Sequence, residues 1–153
     1  MRVWVCNRKQ VEAGMPEFDS IQNVISISTP GHDEASIPGE WSQRLNLWFH
    51  DIIPEDIRDL RTVNGKDLTP FDRKMGVVSL DWIEGVPEEE DILVHCDAGV
   101  SRSVGMAQFI QRLTDRELNI LTPPPGGVDQ FGNVHVSRVM ARIIHEKNGW
   151  IGK

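Results

Sequence analysis

Apolar residues gather in short continuous runs at Val3-Trp4-Val5, around 23 to 27, at Leu45-Asn46-Leu47-Trp48-Phe49 and at Ile92-Leu93-Val94. Runs of this length bounded by polar residues predict strands over 2 to 6, 23 to 27, 45 to 49 and 91 to 95. Between them the period changes. Phe71, Met75, Val78 and Trp82 recur at helical spacing, with Thr69 placed to cap the helix, Pro70 suited to its first turn and Gly85 to end it. Val104, Ala107, Ile110 and Leu113 predict a helix from Ser103 onward. A last helix, preceded by Gly132-Asn133, carries Val136, Val139, Met140, Ile143 and Ile144 on one face. Pro123-Pro124-Pro125-Gly126-Gly127 is the main break and is expected to bridge two helices within one domain. Strands alternating with helices predict an α/β fold with a central, mostly parallel sheet of four to five strands flanked by helices.

Composition narrows the partners. A chain of 153 residues is expected to form one domain over 1 to 153, large enough to bury a core without staples. Its net charge of -7 argues against broad attraction to nucleic acid or anionic membrane, although a local positive pocket can coexist with it. No apolar run approaches the length of a membrane span, and no internal repeat or low-complexity tract stands out. Two cysteines and no secretory pattern make a reducing cytoplasm the expected compartment. Cys6, closing the first strand, reads most simply as a small buried hydrophobe. A reversible disulfide with Cys96 is the sharper alternative.

The candidate chemistry lies in His95-Cys96-Asp97-Ala98-Gly99-Val100-Ser101-Arg102-Ser103, where a strand gives way to a helix. Five residues between Cys96 and Arg102 can curl so that their N–H groups converge at the positive end of the following helix, a ready site for an oxyanion such as phosphate. Asp97, Ala98, Gly99, Val100 and Ser101 would supply the amides. Gly99 permits the tight turn and close approach, and the Arg102 fork can take two phosphoryl oxygens. The same field favours the thiolate of Cys96, making it a nucleophile, while the Ser103 hydroxyl can steady the sulfur as it leaves. Adjacent residues of a strand point to opposite sides, so His95 is expected to order the loop rather than take a proton from the thiol.

These nine residues resemble the signature loop of the cysteine-dependent protein tyrosine phosphatase superfamily, nearest to its compact dual-specificity members. The resemblance implies that family's fold and a cysteinyl-phosphate mechanism. Cys96 would attack phosphorus, Arg102 and the loop amides would hold the equatorial oxygens, and Ser103 would assist hydrolysis. It requires no metal and no other cofactor. It also implies a general acid, an Asp on a separate loop upstream of the cysteine. Asp51 is the expected acid, at the end of a strand and ahead of the turn-rich Pro54-Glu55-Asp56, with Asp56 next and Asp59, Asp67 and Asp72 as competitors. The spacing from Asp51 to Cys96 predicts an insertion around 54 to 69 that could shape the substrate mouth. Trp41 and Trp48 are candidates for that mouth, with burial the expected fate of Trp48. His32 and His50 read as polar loop residues, since neither has a partner at metal-ligand spacing.

With no lysine between Cys96 and Arg102, a phosphorylated protein or peptide is the expected partner, acted on by a monomer. Phosphotyrosine versus phosphoserine or phosphothreonine stays open. Rival readings are a phosphatase of RNA 5′-triphosphate or of a small phosphometabolite, a rhodanese-like sulfurtransferase, and a non-catalytic phosphate-binding module.

Overall fold

The computed structural model describes residues 1–52, 68–121 and 132–147. Five parallel strands form one sheet: β1 (Arg2–Asn7), β2 (Asn23–Ser28), β3 (Gln43–Trp48), β4 (Ile92–Cys96) and β5 (Glu117–Ile120), in the order β3-β2-β4-β1-β5. Helices α1 (Arg8–Ala13), α2 (Arg73–Glu84), α3 (Arg102–Thr114) and α4 (Val134–Lys147) complete the described elements, with a 3-10 turn at Pro16–Phe18. The fold is thus α/β with an all-parallel sheet between helices.

Parallel strands covered on both faces need apolar side chains at successive positions, and every residue of β2 and β4 is buried. Odd and even positions feed two separate cores. Val3, Val5, Ile25, Ile27, Ile92, Val94 and Cys96 face α2, α3 and α4, whereas Cys6, Val24 and Leu93 face α1 and the 3-10 turn. The chain leaves β1 through α1 on one face and leaves β4 through α3 on the other. Their carboxyl ends lie side by side, Asn7 opposite Cys96, so the crevice between them is the topological switch point where open α/β sheets carry their sites.

Several expectations shift. β5 and α1 have no apolar run to announce them; α1 is begun by a capping box between Asn7 and Gln10. The helix expected from Thr69 starts later, because the Asp72 carboxylate accepts from the Met75 amide and caps α2 at Arg73. Thr69 instead pairs with His50 through His50 N–H to Thr69 O (2.6 Å) and Thr69 N–H to His50 Nδ1 (2.9 Å). Phe71 is buried although it precedes the helix, while Val78 is 52% exposed, pointing away from the sheet. Leu113, at the far end of the α3 stripe, is also exposed, because a strict three-residue step drifts around a helix of 3.6 residues per turn. Trp48 is not buried: it is 39% exposed on an edge strand, with its indole N–H toward His32 O at 3.4 Å. Asp56, Asp59, Asp67 and the Pro123 to Gly127 segment lie outside the described residues.

Candidate active site

β4 ends at Cys96 and α3 starts at Arg102, so residues 97–101 must turn the chain within five positions. Gly99 makes the turn at φ 72, a left-handed conformation costly for any residue with a Cβ. Its N–H points to Cys96 Sγ at 3.2 Å, and Ser103 Oγ, from the first turn of α3, lies 3.1 Å from the same sulfur. Cys96 and Ser103 are both buried, so the thiol group sits at the floor of the loop.

Ser101 occupies the N-cap position of α3 but makes no capping bond. Its hydroxyl donates to Asp51 Oδ1 at 2.7 Å. No hydrogen bond to another described residue engages the amides of Ala98, Val100 or Ser101. The loop and the positive end of α3 therefore retain donors for an anion beside the sulfur.

Arg102 is 7% exposed and held from several directions. Nη1 donates to Phe49 O (2.9 Å) and Thr29 Oγ1 (3.1 Å), and Nη2 donates to Asp97 Oδ2 (3.3 Å). A guanidinium has five N–H groups, so Nε–H and one Nη2–H remain without a described partner. Those two form one edge of the fork, the geometry that grips two oxygens of one phosphoryl group.

Asp51 is exposed and lies beyond the end of β3. Besides Ser101, it accepts from Asn133 Nδ2 at 2.9 Å. Asn133, 4% exposed, also donates to Ile52 O (3.2 Å), and its Oδ1 accepts from His135 N at 2.9 Å, capping α4. Its backbone N–H reaches Ser101 O at 3.0 Å. One asparagine thus ties together Asp51, the cradle loop and α4. This requires α3 and α4 to touch closely: a Cβ at Gly105 would lie 2.6 Å from Asn133 O and 2.9 Å from Asn133 N.

His95 points to the opposite sheet face from Cys96. It is fully buried, with Nε2 2.6 Å from Ser26 Oγ of the neighbouring strand. Nδ1 meets no partner of good geometry. Burial pushes its pKa down to about 4, assisted by the Arg44 and Arg8 charges and resisted by the Cys96 backbone and Asp97, so the ring is neutral at pH 7. Cys6 lies in the same cross-sheet row as His95. Burial, assisted by the neighbouring Cys96, pushes the Cys6 thiol up to about 12. Both cysteines are free, and they face opposite cores, which removes the geometric basis for a Cys6–Cys96 disulfide.

The residues that sequence reasoning missed are Thr29, Asn133 and the Phe49 carbonyl. Thr29 follows β2 directly, and a polar residue past the carboxyl end of a parallel strand was the available signal. Asn133 was legible only as the start of a helix. Among the described residues, no three His, Cys, Asp or Glu side chains gather as a metal-ligand set, and no helix is long and apolar enough to cross a membrane. Comparison of the chain with protein families, with curated proteins and with solved structures finds no match.

Proposed function

We propose that this chain is a cysteine-dependent phosphoprotein phosphatase with the fold of the compact dual-specificity members, working as a cytoplasmic monomer. One observation carries the reading: Cys96 Sγ lies within hydrogen-bond reach of the Gly99 N–H and Ser103 Oγ, at the foot of a helix whose Arg102 has one fork edge without a partner among the described residues.

The reaction has two displacements. The Cys96 thiolate attacks phosphorus, the bond to the leaving oxygen breaks, and Asp51 gives that oxygen its proton. Water then attacks the cysteinyl-phosphate while Asp51 takes its proton. The sulfur–phosphorus bond breaks, and a hydrogen bond from Ser103 Oγ stabilises the departing thiolate. Arg102 and the loop amides stay on the equatorial oxygens throughout, stabilising charge as it redistributes. No step calls for a metal.

The test is phosphate release from an aryl phosphate and from phosphotyrosine and phosphoserine peptides, with chelator present, for the wild type and Cys96→Ser. Chelator-resistant release by the wild type and a loss of about a thousandfold or more in the variant are expected. Tight phosphopeptide binding without release would instead identify a recognition module and remove the catalytic roles.

A further inference from the structure

Arg102 is locked into a ring of hydrogen bonds whose third member is an acid of the cradle itself. Its Nη1 donates to Thr29 Oγ1 at 3.1 Å, Thr29 donates its hydroxyl proton to Asp97 Oδ2 at 2.7 Å, and Nη2 donates to that same oxygen at 3.3 Å. Burial alone would raise the Asp97 carboxyl, but the Thr29 hydroxyl, Arg102 and Arg8 outweigh it and hold it below its ordinary value. Asp97 is therefore an anion at neutral pH. The next cation, Arg8, does not supply surplus charge: its Nη1 is 3.9 Å from Asp97 Oδ1, and its Nε donates to Glu12 Oε2 at 3.3 Å. Arg8, Arg102, Glu12 and Asp97 sum to zero.

We propose that Asp97 determines specificity: it holds Arg102 for a phosphate while cancelling its charge, so that the cradle favours an isolated phosphate over a di- or triphosphate. The inference deepens the phosphatase reading and rests on the cradle binding a phosphoryl group. A single phosphate is served by the open Nε/Nη2 edge, the loop amides and the end of α3. Further phosphates would extend over a rim where the Asp97 side chain is 34% exposed and where, among the described residues, the guanidinium groups of Arg8 and Arg102 are already ion-paired. Each added negative charge then meets repulsion from Asp97 with no unpaired cation among the described residues near it in return, a penalty of about threefold per charge for groups several ångströms apart across water.

Both ring bonds to Asp97 fall on one oxygen, so the amide oxygen of Asp97→Asn can accept them and the substitution isolates the charge. Asp97→Ser removes the charge with a smaller side chain. Thr29→Val opens the ring and keeps the charge. The experiment is calorimetric titration of wild type and variants with inorganic phosphate and with tripolyphosphate at fixed ionic strength. Asp97→Asn and Asp97→Ser should each tighten tripolyphosphate about tenfold more than phosphate, while Thr29→Val leaves the ratio of the two affinities near that of the wild type. A ratio moved less than about twofold by removal of the charge, an equal shift in Thr29→Val, or a wild type that binds no phosphate would each overturn the proposal. Phosphate release is scored separately. The expected ratio shift without turnover refutes the phosphatase reading alone, and turnover with an unmoved ratio refutes only the role of Asp97.

Discussion

Acidification from pH 7 to pH 5 should destabilise the fold chiefly through His95. In the folded chain its pKa lies at about 4 against an ordinary 6.5. Above 6.5 both folded and unfolded states hold a neutral ring, so the full stability is present. Between 6.5 and 4 the unfolded chain takes up a proton that the folded chain refuses, and stability falls as pH falls. The loss is complete below about 4, where both states are charged. Over the 2.5 units between those pKa values the total is roughly 3 kcal/mol, of which about 2 kcal/mol falls between pH 7 and 5. That is a large share of a typical domain stability of about 5–15 kcal/mol. Urea unfolding followed by tryptophan fluorescence at half-unit pH steps gives the profile. His95→Gln, whose side-chain amide can still bond Ser26 Oγ, carries no titrating ring and should flatten it by close to one proton. Parallel profiles for wild type and His95→Gln would refute the reasoning, since they would mean that the buried ring does not exclude the proton.

Gly105→Ala forces a Cβ to within 2.6 Å of the Asn133 carbonyl oxygen, backbone that cannot swing aside like a flexible side chain. It should cost about 1–3 kcal/mol in a thermal melt and reduce phosphate release as Asn133 and Asp51 move apart; a wild-type melting temperature would refute the close approach. Asp51→Asn should slow release by about a hundredfold or more for an alkyl phosphate and far less for an aryl phosphate with a good leaving group, and an unaltered pH–rate profile would exclude Asp51 as the acid. Ser103→Ala should slow the second displacement more than the first, giving a burst of leaving group followed by slow release in stopped-flow.

The legible part of the site is the part contiguous in sequence. Strand, tight turn and helix start follow one another from Ile92 to Ser103, and local chemistry fixes Cys96, Gly99, Arg102 and Ser103 relative to each other. The four strands with apolar runs were readable for a similar reason, since a buried parallel strand must be apolar at successive positions. β5 was not, because its Glu117-Leu118-Asn119-Ile120 lies at an edge and is only partly covered. Trp48 misled because an aromatic in a strand usually packs, whereas on edge strand β3 its face of the sheet is left partly open. Thr69 misled because a threonine before proline looks like a cap until Asp72 competes for the role.

What remained hidden depends on tertiary placement. Thr29, Phe49 and Asn133 come from three separate connections, and only the strand order β3-β2-β4 and the contact between α3 and α4 bring them to Arg102 and Asp51. Asn133 shows why such residues resist reading from sequence. As an N-cap it satisfies an amide of α4, a role that an asparagine before an amphipathic stretch announces by itself. Its other end holds Asp51, which no periodicity encodes. Because one side chain does both, Asp51 cannot leave its position without breaking a bond to a residue that also anchors the first turn of α4. The candidate acid is thereby fixed to the same helix that the Gly105 contact presses against the cradle, so the position of Asp51 and the packing of α3 on α4 are parts of a single arrangement.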